Sequence, residues 1–371
     1  MKILNKIFQI IFRLFSYLIP VKNDLILFGT NSGYYNNDSR FLMEFIYKNR
    51  DYRIYWVGDI KHSDIPEGAF VKRGGLQANI LAVQASYLIF THSQKDISLY
   101  YNAKTKLVNL WHGSPVKKLG MDSKFYLKNQ TWLEKLVKRD FQTWDYFIAP
   151  SFFWKDIFKS AYCFKENQIL VSGSPRTDYL QNNQAKPQLL KDLCDGADID
   201  KVILYVPTYR DRIVSTALYD NLLSDVNLHK TLKEQKILLI FKPHPEEQEQ
   251  LSLQSEYVKT LNNFDSLIED LYLICDMVIT DYSSVIFEYS YLRKPILLFI
   301  PDYEEFSKKI GGFYFDYKRD FSGFNILKNK LELISLINED IWKVDSNFYT
   351  QFNKKYTLAN ASQNICKQLN I

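Results

Sequence analysis

Histidine and cysteine are both scarce in this chain, at five and four of 371 residues. Cys163, Cys194, Cys275 and Cys366 are widely spaced and form no CxxC pair. That spacing excludes a disulfide framework and a cysteine-based zinc site, and it reads as reduced, cytosolic thiols. No Lys/Arg-rich run occurs, and a net charge of +5 is mild for the size, so nucleic acid is a poor first candidate. Internal repeats and low-complexity tracts are absent as well. So is any uninterrupted apolar run of the ~20 residues that a spanning helix needs.

What remains is globular in composition, 46% hydrophobic and 24% charged. Single cores stop growing near ~250 to 300 residues, so this length predicts two domains. Past Lys22, short apolar runs alternate with helical patterns, the signature of parallel-sheet α/β units. Strands are predicted over 25–28, 53–57, 87–91, 106–111, 146–149 and 168–171, with helices over 39–49, 76–85, 131–140 and 151–160. A polar stretch, 181–200, reads as the inter-domain connection. Strands resume over 202–206, 237–242, 277–280 and 296–300, and helices follow from about Leu331. The expected division is a helix over 1–22, a Rossmann-like acceptor domain over 23–185, and a Rossmann-like nucleotide-donor domain over 186–371 whose last helix returns to the first domain.

The N-terminal segment is amphipathic. At ~100° per residue, Lys2, Asn5, Lys6, Gln9, Arg13 and Ser16 fall within a wedge of about 100°. Ile3, Leu4, Ile7, Phe8, Ile10, Ile11, Leu14, Phe15 and Leu18 take the remaining arc, and Pro20 ends the helix. Polar residues interrupt the apolar run and no small-residue cleavage site follows, which excludes a secretory signal. A continuous polar stripe argues against spanning. The segment is therefore expected to lie in the membrane interface, with packing on its own domain or on a partner subunit as the alternative.

Ligands of open α/β sheets bind beyond the carboxyl ends of the strands. Two of the five histidines, His112 in Trp111-His112-Gly113-Ser114-Pro115 and His244 in Lys242-Pro243-His244-Pro245, follow predicted strands at that end. A third segment, Thr280-Asp281-Tyr282-Ser283-Ser284, runs from a strand into a helix whose free N–H groups and hydroxyls suit a diphosphate. These three segments are expected to converge on one crevice. Arg210, after another strand, would pair with a phosphate or form a salt bridge to Asp211 or a nearby Glu. Asp281 would accept nucleotide hydrogen bonds or cap its helix, and Lys117 and Lys118 would guide an anionic acceptor or stand as solvated surface lysines. His62, His92 and His229 read as structural. Asp198-Ile199-Asp200 precedes its strand, so no obligatory metal or other cofactor is expected.

Taken together, these segments resemble the CDP-glycerol glycerophosphotransferases of teichoic-acid and capsule synthesis. The likeness rests on Trp111-His112-Gly113-Ser114-Pro115-Val116-Lys117-Lys118-Leu119-Gly120, Gly173-Ser174-Pro175-Arg176-Thr177-Asp178 and Val206-Pro207-Thr208-Tyr209-Arg210. It continues through Lys242-Pro243-His244-Pro245, Asp276 to Ser284, and Phe313-Tyr314-Phe315-Asp316. Ser114 stands where the family usually has Thr, and Gly311-Gly312 stand where Arg-Gly is usual, with Lys308 or Lys309 as replacement cations. The resemblance implies a GT-B type fold of two Rossmann-like domains facing a cleft, peripheral association with the cytoplasmic face of the membrane, and transfer of glycerol phosphate from CDP-glycerol to an acceptor with release of CMP. It implies an undecaprenyl-diphosphate-linked or other lipid-linked saccharide acceptor and leaves homo-oligomerisation open. His112 and His244 map onto the family's essential histidines. Gly113, Ser114 and Lys117 fall on the acceptor side, and Arg210, Thr280, Asp281, Ser283 and Ser284 on the donor phosphates. The fold starts directly after the first helix, which resembles the family's primases more than its polymerases. A CDP-ribitol transferase, a GT-B glycosyltransferase using a nucleotide sugar, and an inactive membrane scaffold are the alternatives.

Overall fold

The structure is a computed structural model that describes residues 9, 11–124, 143–210, 212–244, 255–262, 267–339 and 342–371. The chain divides into two compact units: Met1–His112, Tyr126–Asp178 and Tyr356–Ile371 form the first, and Gly113–Phe125 and Tyr179–Lys355 the second. The chain thus leaves the first unit at Asp178, ahead of the polar stretch expected to connect the domains. That stretch contains a helix, Pro187–Cys194.

The first unit is built on a parallel sheet of seven strands: β1 (Lys22–Gly29), β2 (Arg53–Gly58), β3 (Phe70–Lys72), β4 (Ala85–Phe90), β5 (Lys106–Asn109), β6 (Tyr146–Ala149) and β7 (Ile169–Val171). Their order is β3-β2-β1-β4-β5-β6-β7. The second unit repeats the plan with β8 (Lys201–Tyr205), β9 (Ile237–Phe241), β10 (Val258–Thr260), β11 (Met277–Thr280), β12 (Ile296–Phe299) and β13 (Asn325–Leu327), in the order β10-β9-β8-β11-β12-β13. In each sheet the first strand lies inside and the chain winds outward in both directions, the doubly wound arrangement that creates a switch point beside that strand. Strands such as Ile237–Phe241 are buried at every residue because helices cover both faces. The strands absent from the sequence reading are β3, β10 and β13, three-residue edge strands too short to show an apolar run. The helix expected over 131–140 lies outside the described residues.

Each unit has its own core. Ile26, Phe28, Leu42, Ile46, Trp56, Ile89 and Val108 pack in the first, and the C-terminal helix Ala361–Leu369 adds Ile365, Cys366 and Leu369 to it. Burying Ile365 and Leu369 contributes about 1.5 to 3 kcal/mol each. Asp178 supplies the cap this helix lacks locally, accepting the N–H groups of Ala361 and Ser362 at 2.9 and 2.8 Å. In the second unit Ile203, Tyr205, Tyr219, Leu239, Phe241, Ile279 and Phe299 form the corresponding core. All four cysteines are free, with Cys275 and Cys366 buried.

The N-terminal segment is helical at residue 9 and over 11–16; residues 1–8 and 10 of the expected amphipathic helix lie outside the described residues. Ser16 is buried and receives the N–H of Ala103, while Asn102 donates to the carbonyls of Ser16 and Ile19. Arg13 lies over the Tyr101 ring. Leu14, Phe15 and Leu18 are 72%, 69% and 82% exposed. Its described residues therefore dock through Phe12, Arg13 and Ser16 and leave Leu14, Phe15 and Leu18 exposed. Among the described residues no helix is long and apolar enough to cross a membrane.

Candidate functional site

In the first unit the chemistry gathers where β4 and β5 end. Asn109, fully buried, donates to the His92 carbonyl at 3.0 Å and accepts the Trp111 N–H at 2.6 Å, tying the two strand exits together. Trp111 is held at φ +63, a left-handed conformation that a bulky residue adopts only where its surroundings enforce it. The enforcement includes ring contacts with Phe147, Phe158 and Tyr162. His112 follows, its ring stacked on His92 with centroids 4.0 Å apart and planes 8° from parallel, and 4.1 Å from the Trp111 ring. Its Nδ1 lies 3.4 Å from the Thr91 carbonyl. A carbonyl only accepts, so this contact places the proton on Nδ1 and leaves the lone pair on Nε2. Desolvation by the crowded surroundings and then His92 lower the pKa of His112, whereas the Thr91 carbonyl opposes them. His112 is nevertheless exposed, so water moderates the shift; its direction makes the imidazole neutral at pH 7.

The next residue, Gly113, opens the second unit's share of the motif at φ +146, where a Cβ would come 2.7 Å from Ser284 Oγ. Only glycine fits that approach. Beyond buried Ser114 the segment is bound to the distant aromatic motif. Lys117 bridges Phe313, Tyr314 N–H donates to the Val116 carbonyl at 2.9 Å, and Lys118 N–H donates to the Gly312 carbonyl at 3.1 Å. Two motifs that sequence alone leaves separate are thus one piece of structure. Gly311, where the family usually has Arg, ends the helix Tyr303–Ile310 at φ +82, a conformation that favours glycine. Lys308 and Lys309 are exposed on the helix's last turn. Burial lowers the pKa of Lys117, whose ammonium lies 6.0 Å from the Phe306 ring centroid.

Arg210 forms a salt bridge, the expected alternative to meeting a phosphate, but with Asp302 and Asp281; Asp211 lies outside the described residues. It is 3% exposed; Nε and Nη2 donate to Asp302 at 2.7 and 2.9 Å, and Nη1 donates to Asp281 at 2.6 Å. Asp281 neither caps the helix nor faces solvent. It is fully buried, accepts the N–H groups of Thr208 and Tyr282 at 2.9 and 2.5 Å, and neutralises Arg210. Thr280 is fully buried too, its hydroxyl donating to the Val206 carbonyl at 2.8 Å. These three residues form the floor that fixes the loops after β8 and β11. A guanidinium shared by two carboxylates has little capacity left for a ligand.

Above that floor are groups of another kind. Thr208 is 7% exposed, and its hydroxyl has no hydrogen-bond partner among the described residues. Ser283 Oγ accepts the Val285 N–H at 3.4 Å, and Ser284 Oγ donates to Glu288 at 3.0 Å, at the start of the helix Val285–Ser290. His244 follows β9 by way of Lys242 and Pro243, and its half-buried ring lies 5.4 Å from that of Tyr209. Burial lowers the pKa of Lys242. Thr208, Tyr209, Lys242, His244, Ser283 and Ser284 therefore all stand beyond the carboxyl ends of β8, β9 and β11, where a parallel sheet binds anions. Thr208, Tyr209, Lys242 and His92 had no functional role in the sequence reading, although Lys242 ends a predicted strand and the others follow one as His112 does. The motif from Gly173 to Asp178 is structural. Ser174 Oγ and the Arg176 N–H both donate to Asp38, and a Cβ on Gly173 would come 2.5 Å from the Leu358 carbonyl oxygen.

A family model described as CDP-Glycerol:Poly(glycerophosphate) glycerophosphotransferase matches residues 11–370. The chain belongs to this family. It is 32% identical to the teichoic acid poly(glycerol phosphate) polymerase of Bacillus spizizenii, covering 94% of this chain and 93% of that protein. It is 26% identical to the teichoic acid glycerol-phosphate transferase of Staphylococcus aureus, covering 96% and 95%. Against the polymerase of Bacillus subtilis it covers 95% of itself but 49% of the relative. A polymerase of matching length exists, so the size of this glycerophosphotransferase does not mark it as a primase. Its fold resembles that of the wall teichoic acid polymerase TagF, with a TM-score of 0.81 and 26% identity over 98% of this chain and 92% of the other. A more distant likeness, to the UDP-GlcNAc 2-epimerase from Methanocaldococcus jannaschii, has a TM-score of 0.57 at 12% identity over 93% and 99% of the two chains, and concerns the fold alone.

Proposed function

We propose that this glycerophosphotransferase moves glycerol phosphate from CDP-glycerol to the hydroxyl of a lipid-linked saccharide or growing polymer at a membrane surface, releasing CMP. The acceptor oxygen attacks the phosphorus that bears glycerol, the bond from that phosphorus to the oxygen bridging to CMP breaks, and CMP leaves with the bonding pair. His112 Nε2 takes the acceptor proton. A positioned base of this kind contributes roughly 10² to 10⁴ in rate. His244 and Lys242 stabilise charge on the donor phosphates, and the Thr208 hydroxyl with the backbone at Ser283 and Ser284 holds them. Arg210 acts from below, keeping those loops in place. Lys117 steers an anionic acceptor, with Gly113 and Ser114 shaping its approach.

The observation that carries this reading is the buried Thr208 hydroxyl, without a hydrogen-bond partner among the described residues, beside the strand-end groups of β9 and β11. A buried hydroxyl without a partner costs about 1 to 3 kcal/mol, a cost that a bound phosphate offsets. TagF has been described after a CDPG soak, which supports the same donor for this chain. Incubating the purified protein with CDP-glycerol, CDP-ribitol or a UDP-sugar and a lipid-like acceptor, then weighing the products, tests the reading. A mass increase of one or more glycerol phosphates from CDP-glycerol alone supports it; transfer only from another donor overturns it. The number of units added separates priming from elongation.

The exposed apolar side chains of the N-terminal helical segment support membrane attachment through residues 1–20. Ile11, Leu14, Phe15 and Leu18 follow helical spacing and stay exposed, while Arg13 and Ser16 are taken up by the protein. An apolar arc of this kind immerses in the bilayer interface. Replacing Leu14, Phe15 and Leu18 together by Ser keeps the docked side intact and is expected to abolish pelleting with anionic vesicles while soluble turnover on a short acceptor persists. A triple variant that still pellets contradicts the assignment.

A further inference from the structure

We infer that His92 is a positioning residue for His112, holding the imidazole by face-to-face stacking in the orientation that leaves Nε2 free. This rests on the reading of His112 as the base. Ring contacts alone would carry little weight, but both histidines are built into a single backbone device. Asp96 Oδ2 accepts the N–H groups of Thr91 and His92 at 3.3 and 2.9 Å. The His92 carbonyl takes the Asn109 amide, whose oxygen takes the Trp111 N–H. Thr91 offers its carbonyl to His112 Nδ1 and its hydroxyl to His92 Nδ1, each at 3.4 Å. Thr91, Asp96 and Asn109 are at most 2% exposed. One side of the His112 ring thus meets His92 and another the Trp111 ring, both locked at their backbones.

The stack has an electrostatic consequence. Two imidazoles 4.0 Å apart resist carrying positive charge together, so each disfavours protonation of the other. The other charged groups acting on the pair are Asp96, which opposes the downward shift of His92, and Arg176, which adds to that of His112. Burial raises the pKa of Asp96 and so weakens its capacity to hold a cation nearby.

The test uses the full chain with CDP-glycerol and a lipid-like acceptor, measured over roughly pH 5 to 9 to span imidazole titration. His92→Ala is expected to lower kcat about tenfold to hundredfold, the scale of losing a fixed reacting geometry, with the donor KM within about threefold. His92→Phe keeps a flat ring and is expected to recover most of that kcat. Its acid limb should move to higher pH, because no neighbouring cation then opposes protonation of His112. Full kcat in His92→Ala, or a His92→Phe enzyme no better than His92→Ala, overturns the inference. His112→Ala separates this failure from that of the underlying reading. An inactive His112→Ala beside a fully active His92→Ala removes only the role of His92, whereas an active His112→Ala removes both.

Discussion

At the exit of β5, His112 stands exposed on a platform of rings, whereas at the exit of β8 Arg210 is sealed beneath Asp281 and Asp302. Both residues come from motifs shared with the family, and both follow strands of a doubly wound sheet. The first unit holds this exit with an Asn side chain, stacked aromatics and the buried Asp96, which accepts backbone N–H groups, and leaves a titratable ring at the surface. The second spends the charges of Arg210, Asp281 and Asp302 on scaffolding and leaves Thr208, Ser283, Ser284, Lys242 and His244 at the strand ends where the proposed donor binds. A charged residue in a motif therefore need not be the residue that meets the charged substrate.

The comparison breaks first at the histidines. His112→Ala and His244→Ala are each expected to lower kcat about 10² to 10⁴-fold with little change in the unfolding midpoint, measured by single-turnover transfer and urea denaturation. Next comes the buried floor. Arg210→Ala leaves Asp281 buried and unpaired and is expected to cost about 3 to 5 kcal/mol of stability, read as a lower urea midpoint. Thr208→Val should act with opposite sign on stability, since it removes a buried hydroxyl that has no partner among the described residues; unfolding is unchanged or later, while CDP-glycerol affinity falls by about 1 kcal/mol in calorimetry. If Arg210→Ala folded as the wild type and lost only donor affinity, the division between floor and ligand groups would be wrong.

The smallest expected effect is on pH dependence. In the proposed mechanism His112 is the base, and its pKa is depressed by desolvation and by His92. Activity is therefore expected to stay level as pH falls past the ordinary imidazole value of about 6.5 and to decline only when the lowered pKa is reached. A kcat/KM profile already halved at the ordinary value would sharpen the account by showing that solvent at the exposed ring wins over its crowded surroundings.

The long buried strands were legible in the sequence because parallel strands covered on both faces must be apolar throughout. Tyr146–Ala149 and Met277–Thr280 match the expected limits, whereas β3, β10 and β13 carry too few residues for any pattern. The placement of His112 and His244 beyond strand ends was legible from the apolar runs that precede them. The roles of Arg210, Thr280 and Asp281 were not, because sequence reports the charge of a side chain and not which long-range partner neutralises it. Asp302, the decisive partner of Arg210, lies 92 positions away. For the same reason nothing local revealed that Asp178 caps the last helix or that Lys117 bridges Phe313. His92 shows the opposite limit: its position after a strand was visible, but a stacking partner 20 residues on was not.

The central claim is that donor binding and base catalysis belong to different strand ends, and a calorimetric titration of His112→Ala with CDP-glycerol, paired with a transfer assay on the same preparation, tests it most directly. The account predicts a Kd for CDP-glycerol within about threefold of the wild type together with near-complete loss of transfer. A variant that transfers glycerol phosphate at the wild-type rate, or one that no longer binds the donor, would contradict it.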